Sequence, residues 1–361
     1  MNRPHIVVDI TAHGFGHLAQ MSVVLNQLMR AQPQIRLTVR CNHSRVILER
    51  FIFAPFETSP PPEDPGMIMH GPSRIDADAS LDIYSSILTG WDEIINDEMR
   101  ALDALKPDLL VSNVGFFGAA AAGKLGVKAI GLCSLNWLDI FSAYCADNPA
   151  ATPIISRLEA AYGAMSLFIR PTPSMQMTAF CDQQSVGPIC RVREQANPAQ
   201  VRKIRNMIPT PHIALASLGG IPRDTSWDIL PKVDGLTWIT PLDAPPGRND
   251  VIDCQSSDLA YFDAFCASDL MVTKTGYGSF TESVCNGVRL LYAVRPDWPE
   301  SEALEGWAAQ NACGRACTQE DLYSGNYLDK LEALLSEEPS PDTPDANGAE
   351  EAAGILMKSL N

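Results

Sequence analysis

Residues 5–32 read HIVVDITAHGFGHLAQMSVVLNQLMRAQ, and the change of pattern inside that stretch decides the fold class. Ile6 to Ile10 is a short, almost wholly apolar run, the signature of a strand buried on both faces. From Leu18 the apolar residues fall at Leu18, Met21, Val24, Leu25, Leu28 and Met29, which is helical spacing. Between the two lies a turn built on Gly14 and Gly16, flanked by His13 and His17. Strand, glycine turn and helix in that order form the first half of a βαβ unit. Two of the six histidines in the chain stand in that one turn.

The same alternation continues along the chain. IRLTVRC, PDLLVSN, VKAIGLC and LFIRPTP read as strands, the last of them closing the first half. SLDIYSSILTGWDEIINDEMRALDAL is a long amphipathic helix, and FFGAAAAGKLG a helix that stops at Gly126. SPPPEDPGM is a loop, because its prolines remove backbone donors. The pattern restarts after GPICRVREQANP, read as a linker. PAQVRKIRNMI is a helix and HIALASLGG and LTWIT are strands. DLAYFDAFCAS is a helix, DLMVTKTG a strand into a loop, FTESVCNG a helix ending at Gly287, and VRLLYAV a strand with helices after it. Two doubly wound α/β domains with parallel sheets are expected, residues 1–192 and 193–361. An acidic, proline-rich loop precedes a last helix, AEEAAGILMKSL, which can pack back on the first domain.

Composition narrows the function classes. At 361 residues the chain is too long for one ordinary core, and 46% hydrophobic residues suffice to fill two. A net charge of −16 disfavours nucleic-acid partners. No apolar run reaches the roughly 18 residues of a membrane span. The polar start, MNRPHIVVDI, passes straight into a strand with no secretory leader, so a cytoplasmic protein is expected. The ten cysteines include no Cys-x-x-Cys pair and read as small reduced hydrophobes. No Asp-x-Asp stands at a strand end, and neither a metal nor a cofactor is expected.

In open α/β sheets ligands sit beyond the carboxyl ends of the strands. Three glycine-bearing turns lie there: HGFGH, SLGGIP and TKTGYGSF. Gly14, Gly16, Ser217, Gly219, Gly220, Gly276 and Gly278 allow close backbone approach or offer N–H groups, and a following helix N-terminus favours phosphate. HGFGH is neither G-x-G-x-x-G nor a P-loop. In KTGYGSFTESVCNGV, Lys274 can neutralise phosphate, Ser279 adds a hydroxyl, and Glu282 lies one turn into the helix, where it can accept two vicinal ribose hydroxyls. An acid stabilised by the helix dipole explains Glu282 almost as well. Farther on, VRPDWPESEALEGW supplies Asp297, Glu300 and Glu302 as acceptors for sugar hydroxyls, or simply a polar helix start.

KTGYGSFTESVCNGV resembles the donor motif of the two-domain, GT-B-fold glycosyltransferases. TAHGFGHLAQ, NWLDIFSAYC, SLGGIP, TKTGYGSFTES, VRPDWPESEAL and DLYSGNYLDKLEALL resemble, in order, segments of the glycosyltransferase-like region of plant L-arabinokinases and of stand-alone bacterial relatives. The resemblance implies two Rossmann-like domains, a UDP-sugar-type donor on the second and a small-molecule or lipid-linked hydroxyl acceptor on the first. It implies Lys274, Gly278 and Ser279 at the pyrophosphate, Glu282 at the ribose and Glu300 at the sugar, although Ser301 departs from the glutamine frequent beside it. It places His17 at the general base. His13 reads as a turn residue bonding backbone or a second group at the cleft, and Trp137 as a core aromatic or one packed against the interdomain cleft. Asn113 stands where an aspartate often orients that base. An inverting, metal-independent transfer follows. Two alternatives remain: a nucleotide-sugar 2-epimerase, for which the sequence reveals no second acid–base set, and a non-catalytic nucleotide-sugar sensor, which Asn113 favours.

Overall fold

The computed structural model describes residues 3–70, 74–178, 182–218, 229–241, 244–254, 256–339 and 342–360. It divides the chain into two compact units, Met1–Ile189 with Asn347–Asn361, and Cys190–Ala346.

The first unit begins β1 (His5–Ile10), α1 (Gly16–Ala31), β2 (Arg36–Arg40), α2 (Arg45–Phe51), β3 (Glu57–Ser59) and the small antiparallel pair β4 (Met69–His70) and β5 (Arg74–Ile75). It continues with α3 (Ala77–Leu105), β6 (Leu109–Asn113), α4 (Phe117–Leu125), β7 (Lys128–Leu132), α5 (Trp137–Cys145), α6 (Thr152–Tyr162), β8 (Leu167–Pro171) and β9 (Gln183–Val186). Its sheet runs β3-β2-β1-β6-β7-β8-β9, parallel throughout. Every residue of β1 is buried, including His5 and Asp9 beside its apolar residues. LFIRPTP is not the last strand of this half: β9 follows it. The sequence QQSV has neither apolar alternation nor β-branched weight, so only pairing with β8 makes it a strand.

Local signals set the helix ends. Asp76 caps α3 by accepting the Ala79 N–H at 2.9 Å, and Asn136 caps α5 by accepting the Asp139 N–H at 2.8 Å. Gly126, at φ 71°, ends α4 in the left-handed conformation. Behind the histidine turn, fully buried Arg40 donates to both Asp9 carboxylate oxygens at 2.6 and 2.7 Å and to Glu98 Oε2 at 2.8 Å. That bidentate clamp ties β1, β2 and α3 together. Gly118 at the start of α4 leaves room for it, since a Cβ there would lie 2.1 Å from Asp9 Oδ2.

The second unit contains α7 (Pro198–Met207), β10 (His212–Ala216), β11 (Leu236–Thr240), β12 (Val251–Asp253), α8 (Tyr261–Ala267) and β13 (Leu270–Lys274). Then come α9 (Tyr277–Cys285), β14 (Arg289–Ala293), α10 (Ser301–Asn311), β15 (Gly314–Cys317), α11 (Gln319–Ser324) and α12 (Leu328–Ser336). Its parallel sheet runs β12-β11-β10-β13-β14-β15. The edge strands VID and GRAC are further additions to the sequence reading, and α9 starts at Tyr277, ahead of FTES. Trp238, wholly buried, anchors the core under β10–β14.

The last helix, α13 (Gly348–Ser359), belongs to the first unit and lies along α1. Among the described residues no helix is long and apolar enough to cross a membrane.

Candidate functional site

In the first sheet the strand order reverses between β1 and β6. The crevice beyond such a reversal is where doubly wound folds bind ligands. The histidine turn leaves β1 there, and Asn113 ends β6 there. His17, in the first turn of α1, places Nδ1 2.9 Å from Asn113 Oδ1.

The orientation of that amide is not arbitrary. Asn113 Nδ2 donates to the Leu132 carbonyl at 2.8 Å and to Gln20 Oε1 at 3.1 Å. A carbonyl only accepts, so nitrogen must face Leu132 and oxygen must face His17. Oδ1 in turn only accepts, so His17 Nδ1 carries the proton and Nε2 carries the lone pair. Burial, then the neighbouring His13, lower the imidazole pKa to about 4, against a smaller opposing effect of the Asn113 hydrogen bond. The ring is neutral at neutral pH.

Trp137, at the head of α5, is buried between the two histidines. Its ring centroid lies 5.4 Å from that of His13, edge-on, and 6.2 Å from that of His17. Its backbone N–H donates to Tyr162 Oη at 3.0 Å, and that hydroxyl donates to the Val114 carbonyl at 2.6 Å. Val114 has φ 75°, an unusual conformation for a β-branched residue. Tyr162 thus holds the turn after β6 against α5. Gly14 needs its positive φ of 77°, while Gly16 does not; a Cβ at either would meet nothing within 4 Å.

His13 is drawn to a partner in the proline-rich loop. Its Nε2 lies 3.1 Å from the Asp64 carbonyl and 4.0 Å from Asp64 Oδ1. A Cβ on Gly66, itself at φ 53°, would come within 2.3 Å of His13 Nε2, so glycine makes this seat possible. Burial raises the Asp64 pKa, opposed by His13, Thr11, the Gly66 N–H and the Trp137 indole. Sequence reading passed over Asp64, because a carboxylate in a loop of prolines carries no local signal of a partner 51 residues away.

In the second unit the reversal falls between β10 and β13. Ser217, just past β10, accepts the Thr273 hydroxyl at its carbonyl at 2.8 Å, which sets it beside the end of β13. Lys274 closes β13. Burial and the nearby Arg295 lower its pKa to about 8. Arg295 follows β14, stacked 4.6 Å over the Trp298 ring. Glu305 Oε1 fixes both strand ends, accepting from Thr275 Oγ1 at 2.8 Å and from the Arg295 N–H at 3.3 Å. Two cations at adjacent strand ends thus concentrate positive charge next to the N-terminus of α9 at Gly276. Gly278 and Ser279 lie half-exposed in its first turn. Arg295 was missed by sequence, where it is one basic residue in an acidic stretch.

Glu282 is buried and committed to an ion pair. Arg191 Nε donates to its Oε1 at 2.8 Å, and the guanidinium lies 4.3 Å over Phe262 and 5.7 Å over Tyr261. Glu300 immediately precedes α10 and accepts the Trp298 indole N–H at 3.2 Å. Gly219 and Gly220 lie outside the described residues. The structure therefore gathers His13, His17, Asn113 and Trp137 in one unit and Ser217, Lys274, Gly276, Gly278, Ser279, Glu282 and Glu300 in the other.

No family model matches the sequence. L-arabinokinase of Arabidopsis thaliana is 24% identical over 368 residues, a match that takes in 97% of this chain and 34% of that protein. The chain thus spans about a third of the length of the curated relative it matches. Among solved structures, the calicheamicin glycosyltransferase CalG4 is similar at a TM-score of 0.61 and 15% identity, over 100% of this chain and 94% of that one. UDP-GlcNAc 2-epimerase from Methanocaldococcus jannaschii is similar at 0.56 and 13%, over 98% and 99%. The fold is that of the GT-B glycosyltransferases, with two Rossmann-like α/β units.

Proposed function

We propose that the chain is a nucleotide-sugar-dependent glycosyltransferase that moves a sugar from a UDP-type donor to a hydroxyl acceptor. The observation that carries this reading is the tautomer of His17. Its Nδ1–H is consumed by Asn113, so a neutral Nε2 lone pair stands at the crevice of the first sheet. Such a group removes a proton from a hydroxyl as the oxygen attacks an anomeric carbon. The C–O bond to the diphosphate breaks as the new one forms, with inversion at that carbon. The diphosphate leaves with its negative charge opposite Lys274, Arg295 and the N–H groups at the start of α9. Preorganised donors of this kind act where charge develops. Ser279 serves the same phosphates. Glu282 reaches the ribose through the oxygen that Arg191 does not hold, and Glu300 reaches the sugar.

A second reading, a nucleotide-sugar sensor, draws on Asn113. An amide orients an imidazole but does not stabilise imidazolium as a carboxylate does, and a base with a pKa near 4 is weak. One experiment separates the readings. Purified protein is incubated with a panel of nucleotide sugars and hydroxyl acceptors, and bound nucleotide, released nucleoside diphosphate and new nucleotide sugars are measured. Release that depends on acceptor supports the transferase. Binding without release identifies a sensor, and an isomerised nucleotide sugar identifies an epimerase.

A further inference from the structure

The sheet of the first unit ends at β9, which pairs with β8 on one side. The Phe168 N–H donates to the Asp182 carbonyl at 2.9 Å, and the Thr172 N–H to that of Val186 at 3.0 Å. Alternate residues of a parallel strand bond the same neighbour. Residues 182, 184 and 186 therefore face β8, and Ser185 turns its N–H and C=O outward. Neither has a partner among the described residues. Gly187, the next outward residue, donates its N–H to Glu351 Oε2 at 2.8 Å, which brings α13 alongside the open edge. Strand and helix together line a groove of about 630 Å³.

Open edges invite further pairing, and charge or proline on an edge strand discourages it. Of the four edges of the two parallel sheets, three carry a charge: Glu57 on β3, Asp253 on β12 and Arg315 on β15. QQSV on β9 has neither charge nor proline. The helix wall has its own signal. Gly354 stands in the interior of α13, where glycine disfavours a helix. It lines the groove, and a Cβ there would meet nothing within 4 Å, so packing within the chain does not call for it. Its missing side chain permits close approach of a second backbone. Four residues to either side of it, on the same face, stand Glu350 and Lys358. Neither side chain has a partner among the described residues.

We infer that β9 and α13 form a self-complementary surface by which two copies of this chain pair about a two-fold axis. The two β9 strands lie antiparallel, and each Ser185 exchanges N–H and C=O bonds with the partner's Ser185 as a hydrogen-bonded pair. The two α13 helices run antiparallel on one face of the joined sheet and cross at Gly354. That crossing sets Glu350 opposite the partner's Lys358, twice, as a two-fold requires. Equal spacing of opposite charges about a glycine is what such an axis needs. A foreign strand would use the Ser185 edge but would give Gly354 and the charge spacing no role.

Sedimentation velocity over a dilution series of the full chain tests the pairing. The expected species at high concentration has twice the mass of one chain and dissociates on dilution. Gly354→Gln puts a side chain at the crossing. It improves helix propensity and meets open space within one chain, so folding is kept. Ser185→Pro removes the outward N–H, and an edge position tolerates proline. Each should raise the dissociation constant about tenfold, because the two-fold counts each loss twice. Glu350→Lys should weaken the dimer, and adding Lys358→Glu to the same chain should restore it. Circular dichroism melts establish which variants are folded. A monomer at every concentration overturns the inference and leaves the edge to a foreign strand. A dimer indifferent to folded Gly354→Gln and Ser185→Pro lies on another face and overturns it equally. Failure of Lys358→Glu to restore the Glu350→Lys dimer overturns the antiparallel crossing of α13.

Discussion

His17 makes two demands that differ only in which proton is counted. As a base it must be neutral, and burial together with the neighbouring His13 keeps it so far below neutral pH, against the smaller opposing effect of Asn113. A positioned base contributes roughly 10²–10⁴-fold to a proton-transfer step. Replacing His17 with alanine should cut turnover by that order and leave nucleotide affinity intact; loss of nucleotide binding in a calorimetric titration would assign the imidazole to phosphate instead. The acid side of the pH–rate profile should stay flat down to a pKa near 4. Asn113→Asp supplies a carboxylate that favours imidazolium. The acid limb should therefore move upward in that variant, and an unmoved limb would show that another group titrates. Folding has the matching sign. The unfolded histidine protonates near 6.5 and the folded one near 4, so this contribution is complete above pH 6.5 and is lost as pH falls towards 4. One pKa unit is about 1.4 kcal/mol, so up to about 3 kcal/mol is at stake. Thermal melts of His17→Gln should lose less stability than wild type between pH 6.5 and 4.

At the scale of elements, the histidine turn, Asn113, Ser217 and Lys274 stand at the carboxyl ends of parallel strands, and that placement was legible in sequence. A buried run, a glycine turn and a helical period gave β1 and α1, and the same grammar gave β6, β10, β13 and β14. What escaped had no local pattern. QQSV, VID and GRAC are strands by pairing at sheet edges, too short for periodicity to register. Arg295 becomes a neighbour of Lys274 only because β14 pairs with β13, Lys274 lying opposite Ala293. Asp64 acquires meaning only when Gly66 lets His13 approach. Charge at these strand ends makes its own prediction. Lys274 has a pKa near 8, lowered by burial and by Arg295, and only its protonated form attracts a diphosphate. Affinity for UDP should fall as pH rises from 7 through 9. Removing the neighbouring cation by Arg295→Met should raise the Lys274 pKa and shift that fall to higher pH while weakening binding overall. A UDP affinity indifferent to both changes would place the anion elsewhere.

For the whole molecule, the chain's last helix decides how the two units divide the work. α13 follows the second unit in sequence but is built into the first. Ala352, Ala353 and Leu356 are fully buried there, against α1. Glu351 Oε2 accepts the Gly187 N–H at 2.8 Å, and the Gly348 N–H donates to the Pro188 carbonyl at 3.1 Å. Gly187 and Gly348 allow that approach, since a Cβ on Gly187 would lie 1.8 Å from Asn347 Oδ1. The helix that carries His17 is thus covered by residues more than 300 positions later, and the ends of the chain stabilise one unit jointly. Ending the chain at Ala346 should strip the buried face of α1. A buried leucine contributes about 1.5–3 kcal/mol relative to exposure, and two alanines and two backbone contacts go with it. The truncated protein should melt in two separated steps. The earlier one should belong to the first unit, identified by loss of protection of the α1 amides in hydrogen exchange, while UDP binding persists to the later step. A single unshifted transition would mean that α13 lies on α1 without supporting it.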